Sequence, residues 1–160
     1  MAHKVFVSYH HANDQKAADY LRTEYGENNT LLDRSLDEAY EDMTDDDILA
    51  AIRTEHLKDS TVTIVLIGSE TAKRKWVDWE LYASLRPYGK RSRNGLLGIF
   101  LPSAGMVPER LQDNIDSGYA LTMKWENISW QLERKIEEAY NNRDYDSLVR
   151  NKRKRRERNS

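Results

Sequence analysis

Glu80 closes the segment Trp76-Val77-Asp78-Trp79-Glu80, which follows an unbroken apolar run, Val62-Thr63-Ile64-Val65-Leu66-Ile67, ending at Gly68-Ser69. Such a run passing into a helix puts Glu80 near the C-terminal edge of a buried strand, where open α/β sheets place their ligands. Trp76 and Glu80 are four apart and share a helix face. A carboxylate held there is a candidate for chemistry rather than only for solubility. The plain alternative is a solvated helix glutamate, the usual fate of the residue type. The buried strand, the Gly-Ser turn and the flanking rings weigh against it. Trp76 and Trp79 read first as packing residues, and packed rings can also hold a carboxylate in place and limit water access.

Further polar candidates follow other strand-like runs. Ser8, Tyr9 and His10 end the first, so in a parallel sheet they lie near Glu80. Tyr9 could stack on an aromatic ring of a ligand or be an edge-of-core aromatic. Ser8 or His10 could hydrogen-bond a ligand, while His10 and His11 also suit exposed loop positions. Asp33 and Ser35, after the second strand, could hydrogen-bond a ligand or make a local turn. Ser103, after the fourth, is a weaker candidate.

Other chemistries lack their residues. There is no cysteine, which removes disulfides, thiolate nucleophiles and thiolate metal sites together. His3, His10, His11 and His56 do not have zinc-ligand spacing, so no metal is expected. The acidic run 37–47 lacks the glycine and alternation of a calcium loop. No Gly-rich loop ending in Lys-Ser/Thr points to a triphosphatase, and no Gly-x-Ser-x-Gly elbow to acyl transfer. A phospho-accepting receiver needs an acidic pair after the first strand and an Asp ending the third, where this chain has Ser8-Tyr9-His10 and Gly68-Ser69.

The elements that must position these residues are legible in the hydropathy pattern. Strand-like runs fall at 4–9, 30–33, 61–68, 95–101 and 119–124. Helical spacing links Ala17, Leu21 and Tyr25, then Ile48, Ile52 and His56, and finally Ile128, Leu132, Ile136 and Tyr140. Thr44 with Asp47 resembles a capping pair opening the second helix. The third helix is expected from about Ser69 to Arg86, and a short fourth over 108–116. The third and fourth strands are apolar on both faces, as central parallel strands are. The expected fold is therefore α/β: a three-layer, doubly wound, flavodoxin-like five-stranded parallel sheet. Residues 34–42 read as a loop beside the sheet edge.

A chain of 160 residues, 39% hydrophobic and 32% charged, suits one polar globular domain. No apolar run approaches the ~20 residues of a membrane span, and no secretory signal precedes the first strand; the expectation is a cytoplasmic protein. Its net charge of -2 is unevenly distributed. Residues 150–160 hold seven of the 25 basic groups and one of the 27 acidic ones, which leaves 18 basic against 26 acidic groups elsewhere. An acidic body with a short basic tail is unlike a domain whose basic surface binds nucleic acid. The expected division is a domain over 1–146 and a disordered or frayed basic tail over 147–160. A sharper reading makes the tail a contact for RNA, an acidic partner or a neighbouring subunit.

Taken together, these motifs resemble the TIR domains. Lys4-Val5-Phe6-Val7-Ser8-Tyr9-His10 looks like their first strand, and Trp76-Val77-Asp78-Trp79-Glu80 like their Trp-x-x-x-Glu helix, with Glu80 on the catalytic glutamate. The match is closest to the TIR-like subunit of the Thoeris antiphage system, in which a Val-Leu-Ile-Gly-Ser run and a Thr precede Arg-x-Trp-Val-x-aromatic-Glu. Here those positions are Val65 to Ser69, Thr71, and Arg74 to Glu80. Leu32-Asp33-Arg34-Ser35-Leu36 resembles that group's second-strand edge. The likeness spans roughly 3–140 and leaves the basic tail without a counterpart.

The resemblance implies NAD+ as substrate, with no cofactor, and cleavage of the nicotinamide–ribose bond. Glu80 would be catalytic, and Ser8, Tyr9, His10, Asp33, Ser35, Trp76 and Ser103 would bound the dinucleotide. Hydrolysis would give ADP-ribose, and internal capture a cyclic ADP-ribose isomer that signals to an effector protein. Self-association of TIR domains and a phage trigger are the other expected partnerships, with no membrane involved. Two rivals stay open: a non-catalytic TIR interaction module, and a nucleoside deoxyribosyltransferase-like enzyme, which also uses a glutamate on a similar sheet.

Overall fold

A computed structural model describes residues 3–26, 30–32, 42–90 and 92–159, the three at 30–32 by their backbone alone. Strands β1 (Lys4–Ser8), β2 (Thr30–Leu32), β3 (Val62–Ile67), β4 (Gly95–Phe100) and β5 (Leu121–Lys124) alternate with helices α1 (His11–Tyr25), α2 (Asp45–Ala51), α3 (Lys75–Ser84), α4 (Glu109–Asp116) and α5 (Ile128–Asn142). The strands lie in the order β2-β1-β3-β4-β5 and every pairing is parallel. Four strands have four or more residues, while β2 contributes Thr30–Leu32 at the edge; residue 33 of the expected 30–33 lies outside the described residues.

Strand alternation divides the core into two faces. Val5, Val7, Ile64 and Leu66 pack with Ala18 and Leu21 of α1 and with Leu132, Ile136 and Ala139 of α5. On the other face Val65 and Ile67 meet Val77 and Leu81 of α3 and Leu111 of α4. Phe6 packs there with Ile48 and Leu49 of α2 and with Trp79 and Ala83 of α3. The result is helix, sheet, helix. A Cβ on Gly95 would fall 2.0 Å from the Ala139 carbonyl oxygen, so glycine is what lets α5 lie this close to β4.

Local chemistry sets the helix ends. Thr44 Oγ1 accepts from the Asp47 amide at 3.2 Å, and Asp45, Asp46 and Asp47 fill the first turn of α2, as the sequence predicts. The Ile52, His56 spacing continues past α2 as a π-helical turn, Ile52–His56. The third helix begins later than expected, at Lys75. Thr71 Oγ1 accepts from the Gly68 amide at 2.8 Å and donates to the Leu66 carbonyl at 3.1 Å. This ties the chain to the end of β3 through a short 3-10 turn, Thr71–Lys73, and leaves Arg74 extended before the α-helix starts.

The C-terminus departs most from expectation. Residues 147–159 are not a loose tail: they run across α3 and α4 and bond to both. Arg150 N donates to Asn114 Oδ1 at 2.9 Å, and Asn114 Nδ2 returns a bond to the Arg150 carbonyl at 2.8 Å. Arg153 forks onto Asp113 at 2.9 and 3.0 Å and reaches Glu109 at 2.6 Å. The basic composition that suggested solvation is spent partly on the acidic face of α4. No helix among the described residues is long and apolar enough to cross a membrane.

Candidate functional site

The sheet order makes β1 and β3 neighbours whose connections leave in opposite directions: β1 leads through α1 to the β2 edge, and β3 leads through α3 toward β4. A crevice opens at such a switch point beyond the strands' C-terminal ends. Ser8 ends β1, in register with Val65 of β3. Its side chain shares the face of Phe6 and points at α3, where its hydroxyl donates to Glu80 Oε1 at 2.6 Å. Ser8 is fully buried and Glu80 is 1% exposed. A carboxyl group so enclosed needs hydrogen-bond donors to offset its lost hydration, and 2.6 Å is the separation typical of a hydroxyl bound to a carboxylate.

Opposite Glu80, on the α1 side of the sheet, stands a second carboxyl that sequence reasoning missed. Asp14 is 6% exposed and abuts the turn after β3: a Cβ on Gly68 would lie 2.4 Å from Asp14 Oδ2 and 2.8 Å from Oδ1. Oδ2 is buried with no hydrogen-bond partner among the described residues. Burial raises the Asp14 pKa, partly opposed by the nearby His10. The sequence carried one hint, since Asp14 falls four residues after His10 on the first helix. Recognising it required knowing that Gly68, by lacking a side chain, makes room for it. The switch point therefore brings together Ser8, Glu80, Asp14, His10 and Gly68.

The remaining candidates are placed differently. His10 caps α1, its Nδ1 accepting from the Asn13 amide at 3.1 Å. Tyr9 is a core ring, 2% exposed, stacked on His11 with centroids 4.5 Å apart and donating its hydroxyl to Gln15 Oε1 at 2.9 Å. It offers no open face for a ligand ring in this arrangement. Trp76 is half-buried against the Phe6–Trp79 cluster, edge-on to Trp79 at 5.4 Å and covered by the Lys75 ammonium at 4.6 Å. Ser103 is exposed in the loop after β4. That loop docks on the β3 turn, where the Gly105 amide donates to the Gly68 carbonyl at 3.0 Å. Asp33 and Ser35 lie outside the described residues. Among the described residues, no three His, Asp or Glu side chains cluster as metal ligands.

Chemically, the geometry is a buried carboxyl fixed by a hydroxyl at a strand end, beside a second buried carboxyl on the far face. A family model described as the TIR-like domain of the Thoeris protein ThsB matches residues 6–105. No curated protein matches the chain. The matched stretch contains Ser8, Asp14, Gly68 and Glu80 and ends before α4 and the C-terminal strap formed by residues 147–159. With more than half its length matched and its parallel sheet flanked by helices, the chain belongs to the Thoeris ThsB TIR-like domain family.

Proposed function

We propose that the protein is an NAD+ hydrolase or cyclase of bacterial antiphage defence, working in the cytoplasm with Glu80 as the catalytic group. The observation that carries this reading is the Ser8–Glu80 bond at the C-terminal end of β1, beside the β1/β3 switch point. A family role in antiphage defence supplies the setting. In the reaction, the bond between the ribose anomeric carbon and the nicotinamide nitrogen breaks, and its electron pair leaves with nicotinamide as the neutral base. The ribose is left oxocarbenium-like, as in glycoside cleavage. Glu80 hydrogen-bonds the ribose hydroxyls and stabilises that positive charge, and Ser8 fixes the carboxyl for the purpose. Water adding to the cation, with loss of a proton, gives ADP-ribose. A nucleophile of the adenine or the distal ribose, held close, gives a cyclic isomer instead. The cyclic product would address an effector protein, and a phage component would trigger the reaction within a TIR assembly.

The test is to incubate the purified protein with NAD+, with and without a phage lysate, and to follow nicotinamide release. Equal release by wild type and Glu80→Gln would sink the catalytic assignment. Because Glu80 is 1% exposed, contact with a dinucleotide requires its neighbours to move, as a trigger or assembly would make them do.

That same burial favours one second reading, a non-catalytic TIR interaction module in which Ser8–Glu80 is a packing bond. Saturating NAD+ that leaves Tm unchanged, alongside tight self-association, would support it.

A further inference from the structure

The strap touches α3 along a single stripe. Asn159 Oδ1 accepts from the Lys75 amide at 2.7 Å, at the start of a helix whose own N-cap residue, Arg74, provides no side-chain bond. Arg156 N donates to Asp78 Oδ2 at 2.7 Å, and the Trp79 indole donates to the Arg156 carbonyl at 2.8 Å. Asn151 Nδ2 donates to the Tyr82 carbonyl at 3.1 Å. The Arg155 guanidinium lies over both Trp79 and Tyr82, at 4.7 and 4.9 Å from the ring centres. At about 100° per residue, positions 75, 78, 79 and 82 form one face of the helix, and Glu80 points from the opposite side.

The strap is itself anchored. Asp78 holds the fully buried Arg110 of α4 at 2.9 and 3.3 Å, and Arg110 in turn reaches Asn151 Oδ1 at 3.0 Å. Helix α3 is thus gripped between β1, which receives Glu80, and a strap bolted to α4. Its ten residues make it too short to be stable alone, so its rotation and its height over β1 are set by what it packs against.

We propose that residues 147–159 are a positioning strap for Glu80: by fixing the outer face of α3 they hold the carboxyl at the Ser8 hydroxyl. The claim rests on the reading of Glu80 as the working group, and it adds a determinant outside the family-matched stretch. Two of the bonds to α3 use the backbone of Arg156, N–H to Asp78 and C=O to Trp79, so they persist through side-chain changes that spare the chain path.

The experiment uses the full-length chain with Arg156→Pro, which deletes the N–H bonded to Asp78, and Arg156→Ala, which keeps it. Three readouts are taken: amide hydrogen exchange over 75–84, the 13C shift of the Glu80 side-chain carboxyl, and nicotinamide release. Arg156→Pro should speed α3 exchange and displace the Glu80 carboxyl signal. It should also lower kcat roughly tenfold with KM little changed, the signature of a misplaced catalytic group. Arg156→Ala, which keeps both backbone bonds, should lie much closer to wild type than Arg156→Pro in all three. A wild-type carboxyl signal and kcat in folded Arg156→Pro would overturn the proposal, even if exchange rises. Should Arg156→Pro not fold, Asn159→Ala should show the same displacement on a smaller scale and Asn159→Asp should restore it; no displacement in Asn159→Ala would overturn the proposal. The carboxyl signal needs no substrate, so a wild type that never releases nicotinamide would defeat the enzymatic reading while the strap is still judged.

Discussion

Ser8 and Glu80, 72 residues apart in the chain, meet in a 2.6 Å hydrogen bond between the end of β1 and the second turn of α3, with both side chains closed to solvent. The bond joins sheet to helix at the point where the candidate chemistry sits, so stability and the proposed activity are linked there.

Replacing Ser8 with Ala takes a donor from a buried carboxyl. The expected loss is about 1–3 kcal/mol of unfolding free energy, read as a lower urea midpoint with an unchanged m-value. Nicotinamide release should fall with it. A Ser8→Ala protein as stable and as active as wild type would show that the bond fixes nothing.

Asp14 gives the pH dependence. Its folded-state pKa lies above the ordinary 3.8, so the native state keeps a proton that the unfolded chain releases. The contribution of Asp14 to stability is therefore greatest below about 3.8, falls as pH rises through the folded-state value, and is lost above it. Asp14→Asn removes this contribution: the Tm of the variant minus that of wild type should increase as pH rises across this range, with the variant higher at neutral pH. Parallel curves for the two proteins would remove Asp14 as the source.

Gly68 and Asp14 occupy one space. Gly68→Ala puts a methyl group 2.4 Å from Asp14 Oδ2 and should cost about 1–3 kcal/mol through overpacking. In Gly68→Ala with Asp14→Ala the clash disappears, so the double variant should be more stable than the sum of the single effects implies, with a coupling of at least ~0.5 kcal/mol. Strict additivity would mean that the two residues do not meet.

The Asp78–Arg110 pair anchors α3 to α4. Asp78→Ala leaves the fully buried Arg110 without its main counter-charge, at an expected cost of about 3–5 kcal/mol. Chemical denaturation tests it, and a loss below about 1 kcal/mol would mean that water or another carboxylate reaches Arg110 at little cost.

By itself the sequence determined the layers and singled out Glu80 as the candidate residue. The apolar runs at Val62–Ile67 and Gly95–Phe100, the helical spacing of Leu132 and Ile136, and the Thr44 cap are local signals, carried by neighbours along the chain. The motif around Trp76 and Glu80 was legible for the same reason, and so was the pairing of Ser8 with its vicinity. Only the tertiary structure decided that Asp14 lies on Gly68, because that contact depends on an absent side chain 54 residues away. It alone withdrew Tyr9 into the core and delayed the start of α3 to Lys75, through the Thr71 hydroxyl bonds. It also turned a basic tail into a strap. Composition reports side chains, and a run rich in Arg and Lys reads as solvated, whereas the strap is held in part by the amides and carbonyls of Arg150 and Arg156. Backbone groups are the same at every residue, so where they bond is settled only when α3 and α4 are folded beneath them.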